Sequence, residues 1–304
     1  MIGPNGSQWP TQSRDHRVKA RKSDGSAEMT EYDFYQVDAF TDKIFAGNPA
    51  GVMPLTEWLP DETLQAIAME NNLAETAYMI SKGNGQYDLR WFTPGSEVPL
   101  CGHATLATAH ILYTELGEAA ETITFDTMSG PLMVSRQGNG YAMDFPADEA
   151  RPLKNVPSFL IEALGDDPAE ILAGQYILVV YEDAETVRGL NPNMLLLDKV
   201  RTERGRGAAE NCVCVTAPGD RKEGGGGYDF ISRFFAPGVG INEDPVTGSA
   251  HCLTAPYWAG RLGRDDLQAF QASPRGGIVK CRVEGDRVIL SGDAVTYLRG
   301  RISL

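Results

Sequence analysis

Apolar and polar residues alternate strictly in several short segments of this chain. Tyr87, Leu89 and Trp91 alternate with polar neighbours, as in a strand with one buried face. Two further segments, residues 129–145 and 275–290, place alternating residues on either side of turns rich in Gly, Asn and Asp. Such turn residues tolerate positive φ between paired strands, so the pattern predicts a β-hairpin in each segment.

Two other segments, residues 102–112 and 248–262, are apolar on almost all sides. A helix of this kind has to be enclosed, so we expect each one to be a central helix wrapped by its own sheet. An ordinary amphipathic helix is predicted over Leu64, Ile67 and Ala68, because Pro60-Asp61-Glu62 is a typical helix start.

The two halves of the chain resemble each other. Phe-Thr-Pro-Gly (92–95) and Pro-Leu-Cys-Gly-His-Ala-Thr (99–105) precede or open the first apolar helix. Phe-Ala-Pro-Gly (235–238) and Pro-Val-Thr-Gly-Ser-Ala-His (245–251) do the same for the second. A hairpin pattern follows each helix, and two matches in the same order argue for duplication. The sequence therefore predicts an α+β fold of two pseudo-symmetric lobes, each a β-sheet wrapped around a central helix.

The repeat also suggests boundaries. Residues 1–28 lack hydrophobic periodicity and the apolar core of a signal peptide, which is typical of a leader or a disordered extension. Residues 29–148 are predicted to form the N-terminal lobe, closed by a crossover segment from the C-terminus, and residues 149–304 the C-terminal lobe. We expect the active site in the cleft between them.

Composition narrows the possible functions. The formal net charge of −14 disfavours nucleic-acid binding, although a local field can still accept a small anion. There is no apolar run of about 18 residues, so we expect no membrane-spanning helix. The five scattered cysteines are typical of reduced thiols in a cytoplasmic protein. Zinc-type spacings and nucleotide-binding glycine motifs are missing from the sequence, so we expect neither a metal nor an organic cofactor.

Each central helix begins with glycine, at Gly102 and at Gly248. Glycine allows a ligand to approach the backbone, and the first-turn N–H groups of a helix have no intrahelical partner. Two such helix starts meeting in one cleft would bind an anion such as a carboxylate. The alternative is that both glycines merely start their helices; the duplication favours a shared substrate-binding site.

Four motifs closely resemble the PhzF-like family of phenazine biosynthesis, and the resemblance runs from about Tyr32 to the C-terminus. They are Val37-Asp-Ala-Phe40 with Gly47-Asn-Pro-Ala-Gly51, Asn72-Leu-Ala-Glu-Thr76, Pro99-Leu-Cys-Gly-His-Ala-Thr105 and Glu243-Asp-Pro-Val-Thr-Gly-Ser-Ala250. The resemblance implies a diaminopimelate-epimerase-like fold and often a homodimer. It also implies proton transfer by a Glu in the second motif, which in the phenazine enzyme acts on a dihydro-hydroxyanthranilate ring.

That Glu is Glu75, which lies among apolar residues, a setting suited to general acid–base catalysis. The resemblance assigns catalytic roles to His103 and Asp244 as well, and substrate binding to Ser249. A helix N-terminus disfavours imidazolium, so a neutral His103 is expected. The structural alternatives are an exposed Glu75 at a strand edge, a His103 that caps its own helix and an Asp244 that serves the turn before Pro245.

Two rival functions stay open. A two-base racemase on the same fold would need opposed cysteines, and Cys101 fits the first position whereas Thr247 occupies the second. A binding protein without turnover is the other. The sequence thus predicts an isomerase that acts on a small carboxylate-bearing substrate, with no nucleic-acid or membrane partner.

Overall fold

The computed structural model describes residues 19–21, 29–200, 212–221 and 226–304. Of the predicted extension 1–28, one short strand is described, and the rest lies outside the described residues. The strands are β1 Lys19–Arg21, β2 Met29–Ala39, β3 Asn48–Leu55, β4 Glu75–Gly83, β5 Gln86–Phe92, β6 Glu97–Val98, β7 Thr122–Thr127, β8 Gly130–Gln137, β9 Gly140–Pro146, β10 Arg151–Pro152, β11 Glu170–Ala173, β12 Ile177–Val180, β13 Val213–Pro218, β14 Phe230–Ala236, β15 Ile241–Asp244, β16 Asp266–Gln271, β17 Gly277–Glu284, β18 Arg287–Gly292 and β19 Ala294–Ser303. The helices are α1 Asp61–Asn71, α2 Gly102–Thr114, α3 Ser158–Leu164, α4 Ala184–Gly189, α5 Met194–Leu197 and α6 Gly248–Leu262.

The strand pairing repeats in the two halves. In the N-terminal lobe the series is β2, β3, β4, β5, β7, β8, β9, with β3/β4 and β5/β7 parallel. In the C-terminal lobe it is β11, β12, β13, β14, β16, β17, β18, with β12/β13 and β14/β16 parallel. The parallel pairs fall at the same places in both series. The predicted α+β fold of two similar lobes is therefore confirmed.

Among the described strands, two pairs join the lobes. Strand β9 pairs with β18, with Phe145 opposite Val288 and Met143 opposite Leu290. The last strand, β19, runs back and pairs with β2. The C-terminal residues thus complete the sheet of the N-terminal lobe.

Both central helices are enclosed, which explains their apolar sequences. Helix α2 contacts β2, β3, β4, β9 and β19, and 11 of its 13 residues are buried. An amphipathic helix would bury one face, so this burial confirms a wrapped helix. Helix α6 packs against β16, β17 and β18 in the same way, with Leu253 and Ala255 fully buried. Each leucine buried in this way contributes roughly 2 kcal/mol.

A proline inside α6 ties the helix to the segment that connects the lobes. Pro256 has no N–H, so the carbonyl of Cys252 loses its usual helical partner. The backbone N–H of Asp148 donates to that carbonyl instead, at 2.9 Å. The connecting segment after β9 is thereby fixed to the second central helix.

The loops that lead into the two central helices are held by equivalent ion pairs. Arg90 donates to both carboxylate oxygens of Glu97, at 2.7 and 2.8 Å, and Arg233 donates to both oxygens of Glu243, at 2.7 and 2.9 Å. Each glutamate stands five positions before the glycine that opens its helix. Two-point contacts of this kind restrict orientation as well as distance, so they fix the approach to both helix starts.

No helix among these ranges is both long and apolar enough to cross a membrane.

Candidate active site

The two central helices meet at their N-termini. A methyl group placed on Gly102 would lie 3.8 Å from the Cα of Gly248, and the reverse distance is also 3.8 Å. The side chains of the two residues that precede these glycines have other partners. Cys101 Sγ lies near His103, and Thr247 Oγ1 donates to Asp244. Neither side chain caps its helix, so the first-turn N–H groups stay available to a ligand.

Glu75 and His103 come together beside this junction. Glu75 is the first residue of β4 and His103 the second residue of α2, and Oε2 of the carboxylate lies 3.0 Å from Nε2 of the imidazole. The side chains are 12% and 6% exposed, so Glu75 is not at an exposed strand edge. The approach lacks hydrogen-bond alignment, and neither atom has a hydrogen-bond partner among the described residues. Two buried polar atoms are thus left for another group to engage.

Asn48 connects the two lobes at the site. Its Nδ2 donates to Asp244 Oδ1 at 2.8 Å and to the carbonyl of Val246 at 2.9 Å, both in the C-terminal lobe. The same nitrogen lies 3.2 Å from His103 Nδ1 in the N-terminal lobe. Sequence reasoning missed this residue, although it lies within one of the four family-like motifs.

Asp244 lies at the end of β15 and is also held from its own lobe. Thr247 Oγ1 donates to Asp244 Oδ2 at 2.5 Å, and Gln271 Nε2 donates to the Asp244 backbone carbonyl at 2.7 Å. Burial raises the pKa of Asp244 to about 6, although His103, Thr247 and Asn48 oppose the rise. Asp244 therefore supports the turn and also places a titratable carboxyl near His103.

The charge of His103 is set by its neighbours. Burial lowers its pKa, but Cys101 and Glu75 together raise that pKa well above 6.5. Burial also raises the pKa of Cys101 to about 11, so this side chain is a thiol at neutral pH. Glu75 is then the charge that stabilises the protonated imidazole. The pKa of His103 thus shifts in the direction opposite to the neutral imidazole expected from the helix N-terminus, and the carboxylate of Glu75, 3.0 Å away, contributes to the rise. The ring contacts Glu75 and Asn48, so His103 is not simply a cap on its own helix.

Ser249 lies on the opposite side of the junction, as the second residue of α6. Its Oγ is 2.8 Å from the hydroxyl of Tyr176, which precedes β12. Nothing in the sequence pattern indicated Tyr176. The structure therefore brings together Glu75, His103 and Asp244, with Ser249 beside them on the second helix start.

Within the part of the chain that the structure describes, one group of side chains could hold a metal ion. Donor atoms of Glu75, Cys101 and His103 all lie within 4.8 Å of one another. Carboxylate, thiolate and imidazole form a donor set that zinc accepts. The protonated states of Cys101 and His103 oppose such binding, because metal ligands have to be deprotonated. The expected lack of a metal stays a prediction.

The two-lobed architecture, with two central helices that meet at their N-termini, belongs to the epimerase-like class of folds. A solved structure from Pseudomonas aeruginosa, described as a predicted epimerase, matches with a TM-score of 0.63 at 20% identity, over 89% of this chain and 99% of that one. At this identity the likeness concerns the fold alone.

Closer matches define the family. The model of the phenazine biosynthesis-like protein family matches residues 37–300, and the chain belongs to this family. An uncharacterised isomerase of Pseudomonas aeruginosa is 49% identical, over 90% of this chain and 100% of the relative. The crystal structure of a PhzF family protein from Enterococcus faecalis matches with a TM-score of 0.81 at 43% identity, over 90% of this chain and 100% of that one. The protein is thus a member of a family of isomerases.

Proposed function

We propose that this protein is a cofactor-independent isomerase that relocates a proton on a small carboxylate-bearing metabolite, with Glu75 as the group that removes and returns the proton. The observation that carries the proposal is the buried Glu75–His103 contact at 3.0 Å, beside two helix N-termini that face each other. The buried Oε2 of this carboxylate has no aligned partner among the described residues and is available to a reacting atom.

Each part of the site has a distinct task in this proposal. The backbone N–H groups of α2 and α6 bind the substrate carboxylate and fix its orientation. Glu75 removes a proton from a carbon near that carboxylate and delivers it to another position. Protonated His103 lies beside Glu75 and stabilises negative charge that develops on the substrate. Asp244, linked to His103 through Asn48, binds polar groups of the substrate and keeps the local charge balanced.

The two-base racemase is the less favoured alternative. It needs a second thiol or an equivalent base where Thr247 stands. Thr247 Oγ1 donates to Asp244 and also accepts from Gln271 Nε2 at 3.2 Å, and burial keeps Cys101 protonated. Both facts disfavour a pair of opposed bases.

Proton exchange in deuterated water tests the proposal. Wild type and Glu75→Gln are incubated with dihydro-hydroxyanthranilate and with a panel of small unsaturated or cyclic carboxylic acids, and deuterium entry is read by NMR. We expect exchange by wild type and a loss of about 100- to 10,000-fold in the variant. Glu62→Gln, a change at an exposed residue of α1, is the matched control and should exchange like wild type.

The outcomes separate the three functions. Equal exchange by wild type and Glu75→Gln would remove Glu75 from the mechanism. Inversion at a stereocentre without double-bond migration, lost in Cys101→Ser, would support the racemase. Binding without exchange across the panel would favour a ligand-binding protein. The expected homodimer is checked separately by light scattering.

A further inference from the structure

The hydroxyl of Ser249 belongs to a short chain of hydrogen bonds in the C-terminal lobe. Gln175 Nε2 donates to Tyr176 Oη at 3.3 Å, and Tyr176 Oη lies 2.8 Å from Ser249 Oγ. Neither contact leaves the lobe. The chain ends at the helix start that faces Gly102.

An anionic ligand at Ser249 would give this chain of hydrogen bonds a direction. An amide nitrogen donates and cannot accept, so Tyr176 Oη accepts from Gln175. Either hydroxyl of the Tyr176–Ser249 pair can donate to the other. When an anionic ligand accepts the proton of Ser249, the phenol proton is the one that points to Ser249 Oγ. Tyr176 is the partner of Ser249 Oγ within the described ranges. In that arrangement Ser249 donates to the ligand at the helix junction.

Packing holds the tyrosine in this position. Its ring meets Phe234 edge to face, with the ring centroids 4.9 Å apart. Burial raises the pKa of Tyr176 well above 10, so the phenol remains a donor at any physiological pH. The second residue of each central helix therefore has its own partner, Glu75 for His103 and Tyr176 for Ser249.

We propose that Tyr176 is a positioning residue that orients the Ser249 hydroxyl as a hydrogen-bond donor to a ligand carboxylate bound between the two helix N-termini. The inference rests on the carboxylate-binding part of the proposed function and is independent of which residue moves the proton. A donor to a charged oxygen is a strong contact. Losing its orientation weakens carboxylate binding and leaves the proton-transfer step unchanged.

The test uses the smallest carboxylates, formate and acetate, as probes. Binding is measured by thermal-shift titration at an ionic strength held constant with sodium chloride. Tyr176→Phe keeps the ring on Phe234 and removes the hydroxyl, so we expect about tenfold weaker binding, or about 1.4 kcal/mol. Ser249→Ala should lose at least as much. Tyr257→Phe is the matched control, because that tyrosine bonds with Glu170 and Arg261 outside the junction.

The double variant decides whether Tyr176 acts through Ser249. If it does, Tyr176→Phe combined with Ser249→Ala binds no more weakly than Ser249→Ala alone, because the two losses share one contact. Additive losses, or wild-type binding by Tyr176→Phe, would overturn the inference. So would a wild type that neither carboxylate stabilises. With a substrate that exchanges, Tyr176→Phe should raise KM at constant kcat. Glu75→Gln should instead lower kcat and still bind formate. These opposite effects distinguish the inference about Tyr176 from the proposed proton transfer by Glu75.

Discussion

The buried carboxylate of Asp244 should lower the stability of the folded protein. Its carboxyl is buried, and its pKa lies at about 6 instead of 3.8. A raised pKa means that the folded chain binds this proton more tightly than the unfolded chain does. Stability therefore falls as pH rises from about 4 to about 6, where the folded protein begins to bear the cost of a buried charge. Asp244→Asn removes that cost and keeps a side chain of the same shape.

The size of the effect follows from the two pKa values. Linkage with pKa values of 3.8 and about 6 gives a charge penalty of about 0.5 kcal/mol at pH 4 and about 3 kcal/mol at pH 7. The free energy of unfolding of Asp244→Asn should therefore gain about 2.5 kcal/mol over wild type between these pH values. Altered hydrogen bonds to Asn48 and Thr247 add an offset that does not depend on pH.

Urea unfolding at pH 4, 5, 6 and 7 measures this difference as the shift in midpoint multiplied by the slope. Asp42→Asn, a change at an exposed residue, is the control and should follow the wild-type curve. A gap between Asp244→Asn and wild type that stays constant from pH 4 to pH 7 would refute the reasoning. The stabilised variant should also lose proton exchange, as expected where a functional group is retained at a cost in stability.

Two further predictions concern the helix junction and the contact between the lobes. In Gly248→Ala the new methyl meets Gly102 Cα at 3.8 Å, an ordinary contact. The free energy of unfolding should therefore stay or rise by up to about 1 kcal/mol, while formate affinity falls at least tenfold. Gly260→Ala, which has open space in the same helix, should keep its affinity. Asn48→Ala removes a hydrogen bond that lowers the pKa of Asp244, so the acidic limb of the exchange–pH profile should move upward, whereas Asn71→Ala should leave it in place. An unchanged formate affinity in the first case, or an unmoved acidic limb in the second, would contradict these accounts.

Much of the fold could be predicted from periodicity and repetition. The strict alternation at Tyr87, Leu89 and Trp91 and the apolar segments before Leu112 and Leu262 report local burial, and burial depends on which face of a strand or helix meets the core. The duplicated Pro-Gly motifs then implied two similar lobes. The four family-like motifs placed Glu75, His103, Asp244 and Ser249 in one predicted site, because the family resemblance attaches chemistry to short local patterns.

What the sequence could not supply were contacts between residues that are distant along the chain. Asn48 and Asp244 are 196 positions apart, and their hydrogen bond exists because β3 of one lobe begins beside the end of β15 of the other. Tyr176 reaches Ser249 over 73 positions.

The pKa of His103 shifts against the sequence-based expectation for the same reason. Its helix position is visible in the sequence, but the 3.0 Å approach of Glu75 depends on the strand register that places β4 against α2. Sequence alone therefore determined which segments are buried and which residue types carry the chemistry. The tertiary structure decided which side chains meet, because hydrogen bonds and pKa values depend on separations of a few ångströms, and those arise once both sheets have closed around their helices.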